Sequence, residues 1–178
     1  MTGTVPPGIH TLFDEQTIAE RVEDLAGVLA QAGYESLIVV AILKGSFIFA
    51  ADLLRAMHRK GLAPEVEFLH LSSYGSGLTS SGTITVLRDI ERDVRGRDVL
   101  LIDDILESGR TLAFAKALML ERGAARAEVV ALLDKPGKRK AEIEADYVGF
   151  SCPDKFVVGY GMDARSAWRQ LPFIGVID

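Results

Sequence analysis

The run from Leu37 to Leu43 holds seven residues and no polar side chain. A strand with one wet face alternates apolar and polar residues, so an unbroken run of this length fits a strand covered on both faces. Residues 98–102 and 128–133 repeat the signature in shorter form. Between these runs the period changes from two to about 3.6. Lys44, Gly45 and Ser46 lead from the first run into a helical pattern ending near residue 58, and a second helix is predicted over residues 111–122 with Gly123 as its stop. A further helix precedes the first strand. Ile18, Val22, Leu25 and Leu29 fall on one face of residues 14–32, with Asp14 placed to cap the start and Gly33 to close the end.

Strands alternating with helices of this length imply right-handed crossovers, a parallel sheet, and ligands gathered outside the carboxyl ends of the strands. The predicted fold is therefore α/β, with a parallel central sheet flanked by helices. Short β-like runs recur at residues 147–150, 156–158 and 173–177, and a small accessory subdomain is expected over the ligand edge of the sheet. With 178 residues and no internal repeat or linker, residues 1–178 read as one domain. The net charge of −5 gives no global basic field for nucleic acid and favours a small-molecule partner. No apolar run approaches the ~20 residues needed to cross a bilayer. The first ten residues lack a basic stretch followed by an apolar one, and the single cysteine, Cys152, cannot form an internal disulfide, so a cytoplasmic setting is expected.

The chemistry concentrates after the strand at residues 98–102. Asp103 and Asp104 follow at once, and successive strand residues point to opposite sides, so the two carboxylates can diverge to hold neighbouring hydroxyls or a hydrated Mg²⁺. Glu107, Ser108, Gly109, Arg110 and Thr111 then open a helix. Free backbone N–H groups, two hydroxyls and a small Gly at a helix N-terminus make a seat for a phosphate dianion. An Asp pair alone can merely cap a helix and face water; the pair combined with this turn is the informative pattern. Residues 72–82 are rich in Gly and Ser, uncharged and aperiodic, the composition of a loop that closes over a site or of an inert spacer. His10, His58 and His70 show no metal spacing, and Cys152 has no activating neighbour.

These motifs resemble the purine phosphoribosyltransferases, and within them the bacterial hypoxanthine or hypoxanthine-guanine phosphoribosyltransferases. The resemblance runs from Leu37 to Val176. It passes through Leu43-Lys-Gly-Ser-Phe, Ser72-Ser-Tyr-Gly, the Asp-pair motif, Leu133-Asp-Lys-Pro, and the stretch from Pro153 to Asp163. It implies transfer of phosphoribose from 5-phosphoribosyl 1-diphosphate to a 6-oxopurine, releasing diphosphate, with Mg²⁺ required. By the same resemblance Lys44 and Gly45 form the diphosphate loop, with a cis peptide bond before the lysine. Asp103 and Asp104 hold the ribose hydroxyls and help place the metal, and the turn from Glu107 to Thr111 holds the 5′-phosphate. Lys135 donates to the purine 6-oxo group, Phe156 stacks on the base and Val157 offers backbone hydrogen bonds. Asp163 is a metal-side carboxylate, Arg169 contacts diphosphate, and Ser73 and Tyr74 belong to a lid.

One position departs from the family pattern. Glu107 stands where Asp is usual as the acid/base near purine N7, one methylene farther from the backbone. The resemblance further implies a homodimer or homotetramer. A regulator of the same fold, binding nucleotide or RNA without turnover, is the alternative reading. An aspartate-phosphorylated receiver domain also carries an Asp pair at a strand end, but it predicts neither the Ser-Gly-Arg-Thr turn nor the lid.

Overall fold

The computed structural model describes residues 5–73 and 84–177. In chain order the elements are β1 (Ile9–Phe13), α1 (Glu15–Leu29), β2 (Leu37–Leu43), α2 (Phe47–Arg59), β3 (Glu65–Ser73), β4 (Ile84–Arg88), β5 (Asp98–Leu106), α3 (Arg110–Glu121), β6 (Arg126–Asp134), β7 (Tyr147–Ser151), β8 (Val157–Val158) and β9 (Ile174–Ile177). A single 3₁₀ turn, Pro136–Lys138, follows β6. The main sheet runs β4-β3-β2-β5-β6-β7, parallel throughout except for β4, which is antiparallel to β3. β1, β9 and β8 form a separate antiparallel sheet, a small accessory unit, whereas the short run at residues 147–150 joins the main sheet as β7.

β2 is buried along nearly its whole length because helices cover both its faces. Leu37, Val39 and Ala41 pack with Ile18, Val22 and Leu25 of α1 and with Phe49, Leu53 and Met57 of α2. Ile38, Val40 and Ile42 face the other way, onto Leu112, Ala115 and Met119 of α3. Each fully buried aliphatic side chain contributes roughly 1.5–3 kcal/mol, so polarity at any position of β2 would be costly. The N-terminus of α1 is capped as its sequence predicts, the Asp14 carboxylate accepting from the Thr17 amide at 2.8 Å.

Two features differ from the sequence reading. β3 and β4 add an edge to the sheet, and Ser72 and Ser73, expected in a loop, lie in β3 opposite Thr85 and Ile84. The apolar residues of β3 change phase midway, Val66 and Phe68 on one parity and Leu69 and Leu71 on the other, so no clean period announces a strand. β5 also runs four residues beyond Ile102, because β6 keeps pairing with it at Asp103, Ile105 and Leu106. Backbone hydrogen bonding thus carries the strand through side chains that hydropathy alone reads as its end.

Candidate active site

The carboxyl ends of β2, β5 and β6 converge with the turn that follows β8. At the end of β2 the Leu43–Lys44 peptide is cis, as the family resemblance implied. The buried Ser46 hydroxyl donates to the Ile42 carbonyl at 2.5 Å, folding this loop back onto its own strand. Lys44 is exposed and Gly45 half-buried. A Cβ on Gly45 would lie 1.9 Å from Oδ2 of Asp104, so only glycine lets the loop backbone approach that carboxylate.

Asp103 and Asp104 sit side by side on β5 and serve different spaces. Asp103 lines a cavity of about 200 Å³ with Glu107, Ser108, Gly109 and Thr111. Asp104 lines one of about 240 Å³ with Glu107, Lys135, Phe156, Val157 and Asp163. The divergence is the ordinary alternation of a strand. The Asp104 amide donates to Asp103 Oδ1 at 3.0 Å. Burial raises both carboxyls above the usual range, Asp103 well above it, where the Asp104 charge adds to the effect. For Asp104, backbone donors and the Arg169 charge oppose the rise.

The smaller cavity is the predicted phosphate seat. Gly109 is the N-cap of α3 at φ +78°, a left-handed conformation suited to glycine, and a Cβ there would meet Ile143 at 2.7 Å. The amides of Lys140 and Ala141 donate to the Ser108 carbonyl at 2.8 and 3.1 Å, fastening the turn from behind. The Arg110 amide makes a long contact of 3.4 Å to the Ser108 hydroxyl, and the other first-turn amides of α3 face no carbonyl of their own helix, the usual condition of a helix N-terminus. Arg110 extends into solvent at the start of the helix.

In the larger cavity Lys135 is 6% exposed and donates from Nζ to Glu107 Oε1 at 3.1 Å. A buried ammonium whose nearest carboxylate is itself half-exposed is placed to exchange that partner for a ligand oxygen. Phe156 is 59% exposed at the cavity mouth, so it is not the core residue that an isolated Phe in a β-like run suggests. Val157, beside it, is fixed by pairing with Val176 of β9. Arg169 binds Asp163 Oδ1 at 2.5 Å and donates to the Gly161 carbonyl at 2.6 Å. Two larger cavities, one of about 860 Å³ beside the segment after β6 and one of about 490 Å³ between α1, α2 and residues 160–172, hold neither the Asp pair nor Lys135.

The structure therefore assembles Gly45, Asp103, Asp104, Glu107, Ser108, Gly109, Thr111, Lys135, Phe156, Val157, Asp163 and Arg169 around two adjoining cavities. Ser73 ends β3. Tyr74 and the rest of the expected lid lie outside the described residues. The three histidines do not join the site, and among the described residues no group of three or more His, Cys, Asp or Glu side chains gathers as a metal cage. Three residues in or near the site escaped the sequence reading. Lys138 Nζ binds Asp154 at 2.7 Å and lies 3.6 Å from Glu107, and Arg139 pairs with Asp134 and packs on Gly109. No local pattern signals either contact. The third, Tyr160, sits between two glycines whose spacing does signal a tight turn.

Residues 8–165 match the phosphoribosyl transferase domain. The chain is 41% identical over 167 residues to the hypoxanthine-guanine phosphoribosyltransferase of Bacillus subtilis, covering 93% of this chain and 91% of that one. It is 44% identical over 168 residues to the bifunctional protein TilS/HprT of Listeria monocytogenes, spanning 93% of this chain and a quarter (25%) of that longer relative. The structure superposes on hypoxanthine phosphoribosyltransferase from Trypanosoma cruzi in complex with the product IMP with a TM-score of 0.91 at 32% identity, covering 99% of this chain and 98% of that one. No helix among the described residues is long and apolar enough to cross a membrane. From sequence match, fold and the placement of the strand-end carboxylates together, the chain belongs to the phosphoribosyltransferase family, in its hypoxanthine-guanine branch.

Proposed function

We propose that this protein, acting as one domain, transfers the 5-phosphoribosyl group from 5-phosphoribosyl 1-diphosphate to N9 of a 6-oxopurine, hypoxanthine or guanine. The observation that carries the reading is that one strand, β5, delivers Asp103 to the phosphate seat and Asp104 to the Lys135 cavity. A nucleotide laid across the strand end places its 5′-phosphate on the α3 amides, its ribose hydroxyls on the two carboxylates and its base between Phe156 and Lys135. The Lys135 ammonium donates to a 6-oxo group and finds no acceptor in a 6-amino group, which disfavours adenine.

The donor set fits Mg²⁺. Two adjoining carboxylates whose ionised forms burial opposes are suited to a hard cation, and a site short of a full protein cage suits an ion that keeps waters and substrate phosphates as ligands. Asp103 and Asp104 would hold it, with Asp163 at the same edge, and it would supply charge neutralisation at the leaving diphosphate. As the C1–diphosphate bond breaks and the C1–N9 bond forms, Lys44 and the Gly45 amide hold the diphosphate and Arg169 adds positive charge. Glu107 takes the proton from purine N7. A closing segment that includes Ser73 and Tyr74 would keep water from the cationic sugar. The relatives named above support this reading, and the gathering of Lys135, Phe156 and Val157 in one base cavity favours it over a regulator without turnover. The protein would act as a homodimer or homotetramer.

The test follows diphosphate release by purified protein with Mg²⁺, the diphosphate sugar and, separately, hypoxanthine, guanine, xanthine and adenine. Release with hypoxanthine or guanine and none with adenine is expected. No release with any 6-oxopurine overturns the proposal.

A further inference from the structure

Tyr160 occupies an unusual position for a large side chain. Its φ is +48°, between Gly159 at +94° and Gly161 at +101°, so three successive residues are left-handed. The turn is tight, with Gly159 and Met162 exchanging N–H···O bonds of 3.0 Å in both directions. Glycines make such a turn possible without fixing where it points. The Tyr160 and Gly161 amides donate to the Leu171 and Arg169 carbonyls at 2.8 and 3.0 Å, and the Tyr160 side chain adds the tie to α2: it is 6% exposed and its hydroxyl donates to Asp52 Oδ2 at 2.6 Å. Burial, and then the Asp52 carboxylate, push the phenol's ionisation upward, so the hydroxyl remains a donor.

The next residue meets the reaction site. A Cβ on Gly161 would fall 2.1 Å from the Gly45 carbonyl, and one on Gly45 would fall 1.9 Å from the Asp104 carboxylate. The Gly161 carbonyl also accepts from Arg169. α2 itself begins where the Lys44–Gly45 loop ends. Asp52 and Tyr160 therefore pin the middle of α2 to the turn that abuts the diphosphate loop, without either side chain lining the cavities that hold the Asp pair.

We propose that Tyr160, through its hydrogen bond to Asp52, is a positioning residue that sets the Gly161 turn against the Lys44–Gly45 loop and so tunes binding of the diphosphate sugar. This rests on the phosphoribosyl-transfer reading above. On the base side, Val157 is held by β9 and Lys135 by its amide bond to the Leu106 carbonyl of β5 at 3.0 Å, neither of which involves the clamp.

The test compares the parent with Tyr160→Phe, Asp52→Leu and Asp52→Asn. Loss of one charge-assisted hydrogen bond should raise KM for the diphosphate sugar roughly tenfold in Tyr160→Phe, and Asp52→Leu, which also removes the exposed ion pair with Arg55, should match it. KM for hypoxanthine at saturating sugar, and kcat, should stay within about twofold, the split that a positioning role predicts. Asp52→Asn keeps an acceptor oxygen and should restore most of the affinity. Unchanged sugar KM in Tyr160→Phe, or equal losses for both substrates, overturns the inference. If Tyr160→Phe does not fold, the Asp52 pair decides: Leu and Asn variants of equal sugar KM refute it. If the parent releases no diphosphate, the functional reading falls, and calorimetric binding of the Mg²⁺–diphosphate sugar to the same variants still judges the clamp.

Discussion

Gly45→Ala separates catalysis from folding more cleanly than any other single substitution here. The added methyl group would lie 1.9 Å from Asp104 Oδ2 and 2.5 Å from its Cγ, whereas ordinary contact begins at about 3.4 Å. Carboxylate and loop must therefore move apart by about 1.5 Å. Misplacement of about 1 Å at a reacting centre costs on the order of 10²-fold in rate. Stability should hardly change, since the obstruction is a side-chain end at the cavity edge and Ala in place of Gly recovers ~0.4–1 kcal/mol through the unfolded state. Steady-state kinetics with the diphosphate sugar varied should show kcat/KM lower by about 10²-fold, beside a thermal melt close to the parent's. Gly149→Ala is the control. There the new methyl group meets the Leu132 backbone carbonyl of β6 at 2.4 Å, which cannot swing away. That variant should lose about 1–3 kcal/mol, a Tm fall of roughly 3–10 °C. A Gly45→Ala enzyme within threefold of the parent would refute the claim that the loop backbone and Asp104 share one fixed geometry.

Three other substitutions probe the remaining parts. Glu107→Gln keeps an oxygen for Lys135 and removes the base, so kcat should fall about 10²- to 10⁴-fold while sugar-diphosphate affinity, measured by calorimetry, barely moves; equal kcat in the two proteins eliminates Glu107 as the base. Phe156→Ala should weaken purine binding by about 1–3 kcal/mol with little loss of Tm, because the ring is 59% exposed; a purine KM equal to the parent's would remove Phe156 from the base site. Asp103→Asn should gain stability as it loses activity. A carboxyl raised in the folded state supports folding below its unfolded value near 3.8 and withdraws that support as pH rises through the raised value. At about pH 8 the variant escapes that cost and should melt higher than the parent, and the gap should close towards pH 4. A gap of the same size at both pH values refutes the buried-carboxylate explanation.

Local chemistry was legible in the chain because its causes are local. An unbroken apolar run reports burial on both faces, a 3.6-residue apolar stripe reports a covered helix, and adjacent Asp residues at a strand end must diverge. β2, α1, α2, α3 and the two-sided placement of Asp103 and Asp104 follow from those rules. β3 did not follow, because its apolar residues change phase halfway along the strand.

What the folded chain alone decided are meetings between distant residues. Lys135 and Glu107 stand 28 positions apart, Tyr160 and Asp52 108 apart, and no periodicity relates them. The same holds for the approach of Gly45 to Asp104, of Arg139 to Gly109, and for the exposure of Phe156. Spacing along a chain fixes which face a side chain takes on its own element. Which elements then face each other depends on strand order and on the crossing of loops at the sheet edge, and only packing in three dimensions sets those.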